Sequence, residues 1–403
     1  MNPALPSPSP IDPPVNRRAG WSTRLHSGVT VARFLGMHWF AAIFPMAAGV
    51  ALFGWRTVVV VAGVLISVLI ATAIWRRIGM RGASLRYDHC LWLGLLLAML
   101  LPAHLGSTRP SWIGGEPLWL IIPAAGLALV MFTWILGGLG SGRVHPVLLT
   151  YLLLVGCFGQ DRVPHRVLQR GHVVTGDLMD VRPPDGVPVQ PREPWHDAPA
   201  DPYHDAVWRE PASQRLVFYT SGLESGWQSL DALIRDRMPP LEDLIIGGQP
   251  GPIGGASGLA VIIGGLFLLY RGLIDWRIPL LMILVAYLAM LILPVPVAIT
   301  DLGPNRHWFW ATKTGVGWST AITFINYQVL AGPLLLIAFF VATAPSMRPT
   351  TRRGCIVFAL LAGVLAGAMQ LYASVAHGPA VAVLLVSAIT PWLDRWIRPR
   401  PLI

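Results

Sequence analysis

The sequence predicts an all-α polytopic membrane protein, with about ten transmembrane or half helices in two inverted five-helix repeats. Three observations lead there. Of the 403 residues, 54% are hydrophobic and only 12% charged, about half the charged share of a soluble domain. Apolar runs recur near the roughly 20 residues that a bilayer helix needs. The only large polar region, 159–250, leaves five runs before it and five after. An odd number of spans per half inverts the second copy relative to the first, an architecture of transporter type.

Residues 1–35 are rich in Pro and Arg and lack the apolar core of a signal peptide. They read as a disordered cytoplasmic tail that ends in an amphipathic juxtamembrane stretch, Trp21 to Leu35. The first membrane half, 36–158, carries apolar runs at 37–54, 57–75, 90–102, 117–138 and 144–158. The second, 251–403, carries them at 256–274, 278–297, 328–343, 354–373 and 376–393. The runs 90–102 and 328–343 are short for a simple crossing, and hydropathy leaves half-helix and re-entrant forms equally open. Asp88-His89-Cys90-Leu91-Trp92-Leu93-Gly94 leads to Leu100-Leu101-Pro102, much as Tyr327-Gln328-Val329-Leu330-Ala331-Gly332 leads to Ala342-Thr343-Ala344-Pro345. Each is followed by a longer span and a Gly/His/Pro element, Gly140 to Pro146 and Ala376-His377-Gly378-Pro379.

The extracytoplasmic insert, 159–250, begins as Pro-rich coil. Gln214 to Thr220 has strand character, and Ser229 to Arg237 places Leu230, Leu233 and Ile234 on one helical face. The second half opens on Gly251-Pro252-Ile253-Gly254-Gly255-Ala256-Ser257-Gly258. Such a run gives backbone that can bend, approach a ligand closely or begin a broken helix.

The formal charge of +10 is nearly all arginine. A basic balance can mark nucleic-acid binding, but here it follows topology. With the N-terminus inside, the cytoplasmic segments hold Arg17, Arg18, Arg24, Arg33, Arg76, Arg77, Arg81, Arg86, Arg143, Arg271, Arg277, Arg348, Arg352, Arg353, Arg395, Arg398 and Arg400. The short outer loops hold only Arg56, Arg109, Arg306 and Lys313. This asymmetry places both termini in the cytoplasm and the insert outside, and leaves no nucleic-acid partner.

Residue by residue, little points to catalysis. Cys90, Cys157 and Cys355 have no metal or redox spacing and read as small buried hydrophobes. His196-Asp197 and His204-Asp205, with Asp201 and Glu210, match no standard metal site and read as solvated loop. His38, His89, His145 and His377 lie near span ends without a haem-like spacing and read as interfacial hydrogen-bonding groups. Asp88 stands at the mouth of a short apolar segment, where either an ion or proton path or a plain interfacial charge fits. Trp55, Trp75, Trp92, Trp119, Trp276, Trp392 and Trp396 flank spans as an aromatic belt.

Several segments nevertheless share an order and spacing with one family. Phe53-Gly54-Trp55-Arg56, Asp88 to Pro102, Gly137-Gly138-Leu139-Gly140, Gly251 to Ala260, Trp276-Arg277-Ile278-Pro279, Ala338 to Pro345 and Thr390-Pro391 to Arg395 follow in sequence. Over about residues 36–160 and 214–400 the chain resembles the B subunit of the sodium-translocating NADH:quinone reductase and the D subunit of the Rnf ferredoxin:NAD oxidoreductase. The resemblance implies a urea-transporter-like fold. It also implies a membrane subunit of a multisubunit, ion-coupled electron-transport complex, with redox partner subunits, the lipid bilayer and quinone as its surroundings.

It further implies FMN on the outer side, joined through phosphate to a threonine in Ser-Gly-Ala-Thr. That motif falls on Ser221-Gly222-Leu223-Glu224, so Glu224 replaces the threonine. A glutamate cannot form the phosphoester, and its charge repels phosphate. Ser225 follows with a hydroxyl one residue out of register. The expected cofactor-binding set is Ser221, Gly222, Glu224 and Ser225, with Gly251, Gly254 and Ser257 supplying backbone N–H groups. Other polar positions of the family also change, to His145, Gly255, Ala256, Ala344 and Ser387. A non-redox scaffold subunit and a solute or ion channel are the alternative functions.

Overall fold

Thr30 starts the first helix. Its hydroxyl accepts the Arg33 N–H at 3.2 Å and caps α1 (Val31–Phe53). At Gly54 φ is 72°, a left-handed conformation that only glycine adopts without strain, and the chain turns directly into α2 (Trp55–Arg77). This computed structural model describes residues 30–78, 85–106, 112–113, 116–117, 120–137, 144–158, 167–169, 206–208, 241–247, 251–298, 306–310, 318–344 and 348–397.

In the first half follow α3 (Tyr87–Leu100), a 3-10 turn (Ala103–Gly106), a short hairpin of β1 (Trp112–Ile113) and β2 (Glu116–Pro117), α4 (Ile121–Ile135) and α5 (Pro146–Phe158). The insert contributes β3 (Val167–Gln169), paired antiparallel with β4 (Ala206–Trp208), and the short α6 (Leu241–Ile246). These strands lie in the part expected to be coil. The Gln214–Thr220 strand, the Ser229–Arg237 helix and the insert's His/Asp pairs lie outside the described residues.

The second half begins with a 3-10 turn (Ile253–Gly255) and α7 (Gly258–Tyr270). It continues with α8 (Arg277–Ile292), an antiparallel hairpin of β5 (Pro294–Ala298) and β6 (Arg306–Trp310), α9 (Trp318–Leu330), α10 (Leu334–Val341), α11 (Arg352–Tyr372) and α12 (Gly378–Trp396).

Among the described residues, α1, α2 and α11 are each long and apolar enough to cross a membrane. The pair α9–α10 passes together, bent by 61°. The helices α3, α4, α5, α7 and α8 have 13 to 16 residues, or about 20–24 Å, less than the ~30 Å hydrocarbon core. Two expected runs are corrected. The run 278–297 stops at Ile292, because Pro294 and Pro296 enter a strand. The run 328–343 straddles a break: its helix starts ten residues earlier, at Trp318, where Ser319, Thr320, Thr323 and Asn326 dilute the hydropathy. Tyr327 therefore lies in the last turn of α9, whereas Asp88 lies in the first turn of α3, so the two similar stretches occupy different places along their helices.

Burial separates an exposed apolar face from a packed face. On α8, Leu280, Leu284, Leu288 and Ile292 are exposed, while Ile278, Met282, Ala286 and Met290 are fully buried. Both sets repeat every four residues, so each occupies one stripe. Together with Ile66, Ile70 and Ile74 of α2 and Leu360, Leu361 and Val364 of α11, these side chains would form an apolar surface too large for water but suited to lipid. The packed faces use small residues. A β-carbon on Gly363 or Gly367 of α11 would lie 2.7 or 2.8 Å from the Met282 or Ala286 carbonyl of α8. One on Gly126 of α4 would lie 2.4 Å from Ser67 of α2. This is membrane-type packing, in which small residues let backbones meet.

Charge gathers at one end. Arg277 binds Asp275 at 3.1 Å, and Asp394 accepts the N–H and hydroxyl of Thr350 at 3.0 and 3.1 Å. The segment before α11 and the end of α12 therefore meet.

Candidate functional site

The Gly251–Ser257 run folds into a joint. The Ile253 N–H donates to the Leu101 carbonyl at 2.9 Å, and Pro252 bridges antiparallel to Pro102. The start of the second half thus pairs with the chain leaving α3. Ile253 is fully buried, and its carbonyl lies against Gly49 of α1, where a β-carbon would stand 2.8 Å away. At Gly254 a β-carbon would meet Met99 at 2.7 Å. Ser257 caps α7 by accepting the Ala260 N–H at 3.2 Å, and it donates to the Ile245 carbonyl at 3.3 Å. The N–H groups of Ile253, Gly255 and Ala256 all go to protein carbonyls. Gly251 borders open space.

A second irregular point separates α9 from α10. The Ala331 N–H closes a helical bond to Tyr327 at 2.8 Å. Pro333 has no N–H to give the Val329 carbonyl, so the helix cannot continue. The Gln370 side chain of α11 enters this gap, and its Nε2 donates to the Gln328 carbonyl at 3.0 Å. Beyond the break, Ile337–Val341 winds as a π-helix, with Ala342 N–H to the Ile337 carbonyl at 2.7 Å. Such segments concentrate at functional sites.

The four histidines His38, His89, His145 and His377 are buried within the protein, with exposures of 1, 6, 0 and 6%. His38 Nδ1 bonds the Phe34 carbonyl at 2.9 Å and its ring meets Trp92 edge-on at 5.2 Å. Tyr151 of α5 bonds His377 Nδ1 at 2.8 Å, linking the two halves. His145 is fully buried, immediately before the start of α5. Hydropathy places these residues near span ends; tertiary packing then closes the surrounding helices over them.

Other expectations divide. Asp88 pairs with Arg86 at 3.1 Å with both side chains half exposed, a surface pair of little energetic weight. Cys90 and Cys355 are buried, but Cys157 is exposed. Trp92 is buried at 1%, not part of a belt, whereas Trp55, Trp276, Trp392 and Trp396 are exposed. Ser221, Gly222, Glu224 and Ser225 lie outside the described residues. Sequence reading missed Gln328, Gln370 and Tyr151. An uncharged amide or phenol within an apolar run is a weak signal until its partners are known.

Comparisons with known proteins span nearly the whole chain. The model of the NQR2, RnfD, RnfE family matches residues 20–402. The D subunit of the ion-translocating oxidoreductase complex of Halorhodospira halophila is 29% identical over 363 residues, covering 89% of this chain and 88% of the relative. Its counterpart of the same name from Salmonella paratyphi B is 26% identical over 396 residues, covering 95% and 97%. That of Escherichia coli strain SE11 is 25% identical over 405 residues, covering 95% and 97%. The family match takes in both membrane halves, the insert, the Pro102–Pro252 joint and the α9–α10 break; the chain belongs to the NQR2, RnfD, RnfE family.

Proposed function

We propose that this chain is the membrane-embedded D-type subunit of an ion-translocating electron-transport complex in a bacterial inner membrane. In this reading it forms two inverted five-helix repeats, with both termini in the cytoplasm. The observation that carries it is the mirrored packing around the Pro102–Pro252 joint. In the first half the second span packs on the fourth and the fourth on the fifth (α2 on α4, α4 on α5), and the second half repeats this (α8 on α11, α11 on α12). The first spans, α1 and α7, meet each other, as do the fifth, α5 and α12. Inverted repeats with interrupted helices suit alternating ion access. The names of the relatives supply the complex and its activity.

Flavin fits less well. The turn offers a flavin phosphate no row of amides, since Ile253, Gly255 and Ala256 are already bonded and Gly254 is packed on Met99. With Glu224 in the threonine position, Ser221 is the one hydroxyl in the motif and Ser225 follows just outside it. The replaced threonine favours a second reading, in which the chain is a non-redox scaffold that holds redox subunits and forms the ion path.

Affinity purification of the tagged chain from its native membrane tests the function. Iron–sulfur and flavin subunits should co-purify, and deleting the chain should abolish ion uptake driven by electron transfer in inverted vesicles. Undiminished uptake without the chain overturns the proposal. Flavin fluorescence in a denaturing gel separates the two readings: a fluorescent band establishes covalent flavin, and a dark band with no extractable flavin leaves the scaffold. Solute flux through the chain alone in liposomes would instead favour a channel.

A further inference from the structure

We infer that the break between α9 and α10 is a binding site for a dehydrated monovalent cation, held by the side-chain oxygens of Gln328 and Gln370 and by backbone carbonyls. Gln328 is fully buried and Gln370 is 2% exposed. Among the described residues neither Oε1 has a hydrogen-bond partner, nor does Gln328 Nε2. A buried polar atom left without a partner keeps its full desolvation penalty, so three such atoms at one break call for an occupant.

The geometry assigns oxygen to that occupant. Gln370 Nε2 is spent on the Gln328 carbonyl. A flipped amide would set two oxygens against each other, so its Oε1 is the free end. The Val329 carbonyl has lost its helical donor to Pro333. A β-carbon on Gly332 would stand 2.5 Å from the Val375 carbonyl and 3.4 Å from Gln370 Nε2, so that carbonyl and that amide both border the break. The C-terminal end of α9 adds partial negative charge. These ligands are all neutral oxygens, which replace a hydration shell for a singly charged ion; a divalent ion takes carboxylates.

The site gives a place within the proposed function to the ion that moves, and it rests on that reading only for its purpose. Binding is measured on the isolated chain, so the two can fail separately. The full-length chain, purified in detergent, is titrated with NaCl, KCl and LiCl against choline chloride at constant ionic strength, following thermal unfolding and calorimetric binding. One alkali cation should raise the midpoint saturably, and choline should not. Gln328→Leu and Gln370→Leu should weaken binding roughly tenfold or more, and Gln370→Glu, whose second oxygen replaces the Nε2 donor and with the Gln328 carbonyl faces the ion, should tighten it by its added charge. Equal response to choline, or folded Leu variants that bind like wild type, would reduce the break to a hydrated gap. Should the Leu variants fail to fold, an unchanged affinity in Gln370→Glu overturns the assignment.

Discussion

The Tyr151 hydroxyl and His377 Nδ1 lie 2.8 Å apart, 226 residues apart in sequence, and join the fifth helix of the first half to the start of the last helix of the second. Both residues are buried, so the bond forms only when the halves dock. Tyr151→Phe should destabilise the chain by about 1 kcal/mol, in line with buried hydrogen bonds within membranes. In a double-mutant cycle on thermal midpoints, Tyr151→Phe with His377→Leu should cost less than the sum of the single changes. Strict additivity would mean that the two groups do not interact.

The close approach of α1 and α7 makes a sharper contrast. A β-carbon at Gly264 would lie 2.6 Å from the Ala41 carbonyl, while one at Gly156 meets nothing within 4 Å. Backbone cannot retract as a side-chain tip can. Gly264→Ala should lower the thermal midpoint in detergent, whereas Gly156→Ala should leave it unchanged or raise it, since alanine is favoured over glycine within helices by up to about 1 kcal/mol.

The Pro102–Pro252 bridge can be locked. Opposed residues in an antiparallel pair have α-carbons about 4.5–5.5 Å apart, within the range of a disulfide. In a background with Cys157→Ser, Pro102→Cys with Pro252→Cys should crosslink under mild oxidation. After proteolysis within the insert, the two halves should migrate together on a non-reducing gel and separate on reduction. Separate fragments without reductant would disprove the pairing.

Thiol exposure checks sidedness. Cys157 at the end of α5 is exposed, whereas Cys90 and Cys355 are buried. A membrane-impermeant maleimide added to intact spheroplasts should label Cys157 alone, and Cys157→Ser should abolish the signal. Labelling only after lysis would reverse the proposed orientation.

Much of this was legible in the sequence, and the exceptions have physical causes. Ten apolar runs were visible, because hydrophobic stripes such as Leu280-Leu284-Leu288 are a one-dimensional property. Helix ends were less so: Thr30, Ser257 and Thr351 set them through side-chain caps, which hydropathy does not register. The helix over 318–330 was hidden by its own polar residues, and the α9–α10 break appeared as one short run. Of the expected site, Gly251, Gly254 and Ser257 form a structural joint, since a glycine-rich string encodes close approach without saying to what. The Gln328–Gln370 contact depends on residues 42 positions apart, and no local pattern announces it.

The seam between α8 and α11 has a mechanical consequence. Where Gly363 and Gly367 abut the Met282 and Ala286 carbonyls, there is no layer of pliable side chains to shear. The two rods are therefore stiff against sliding past each other, while residues 331–333, where Pro333 interrupts the helical ladder, form the softer point of this half, beside the lodged Gln370 side chain.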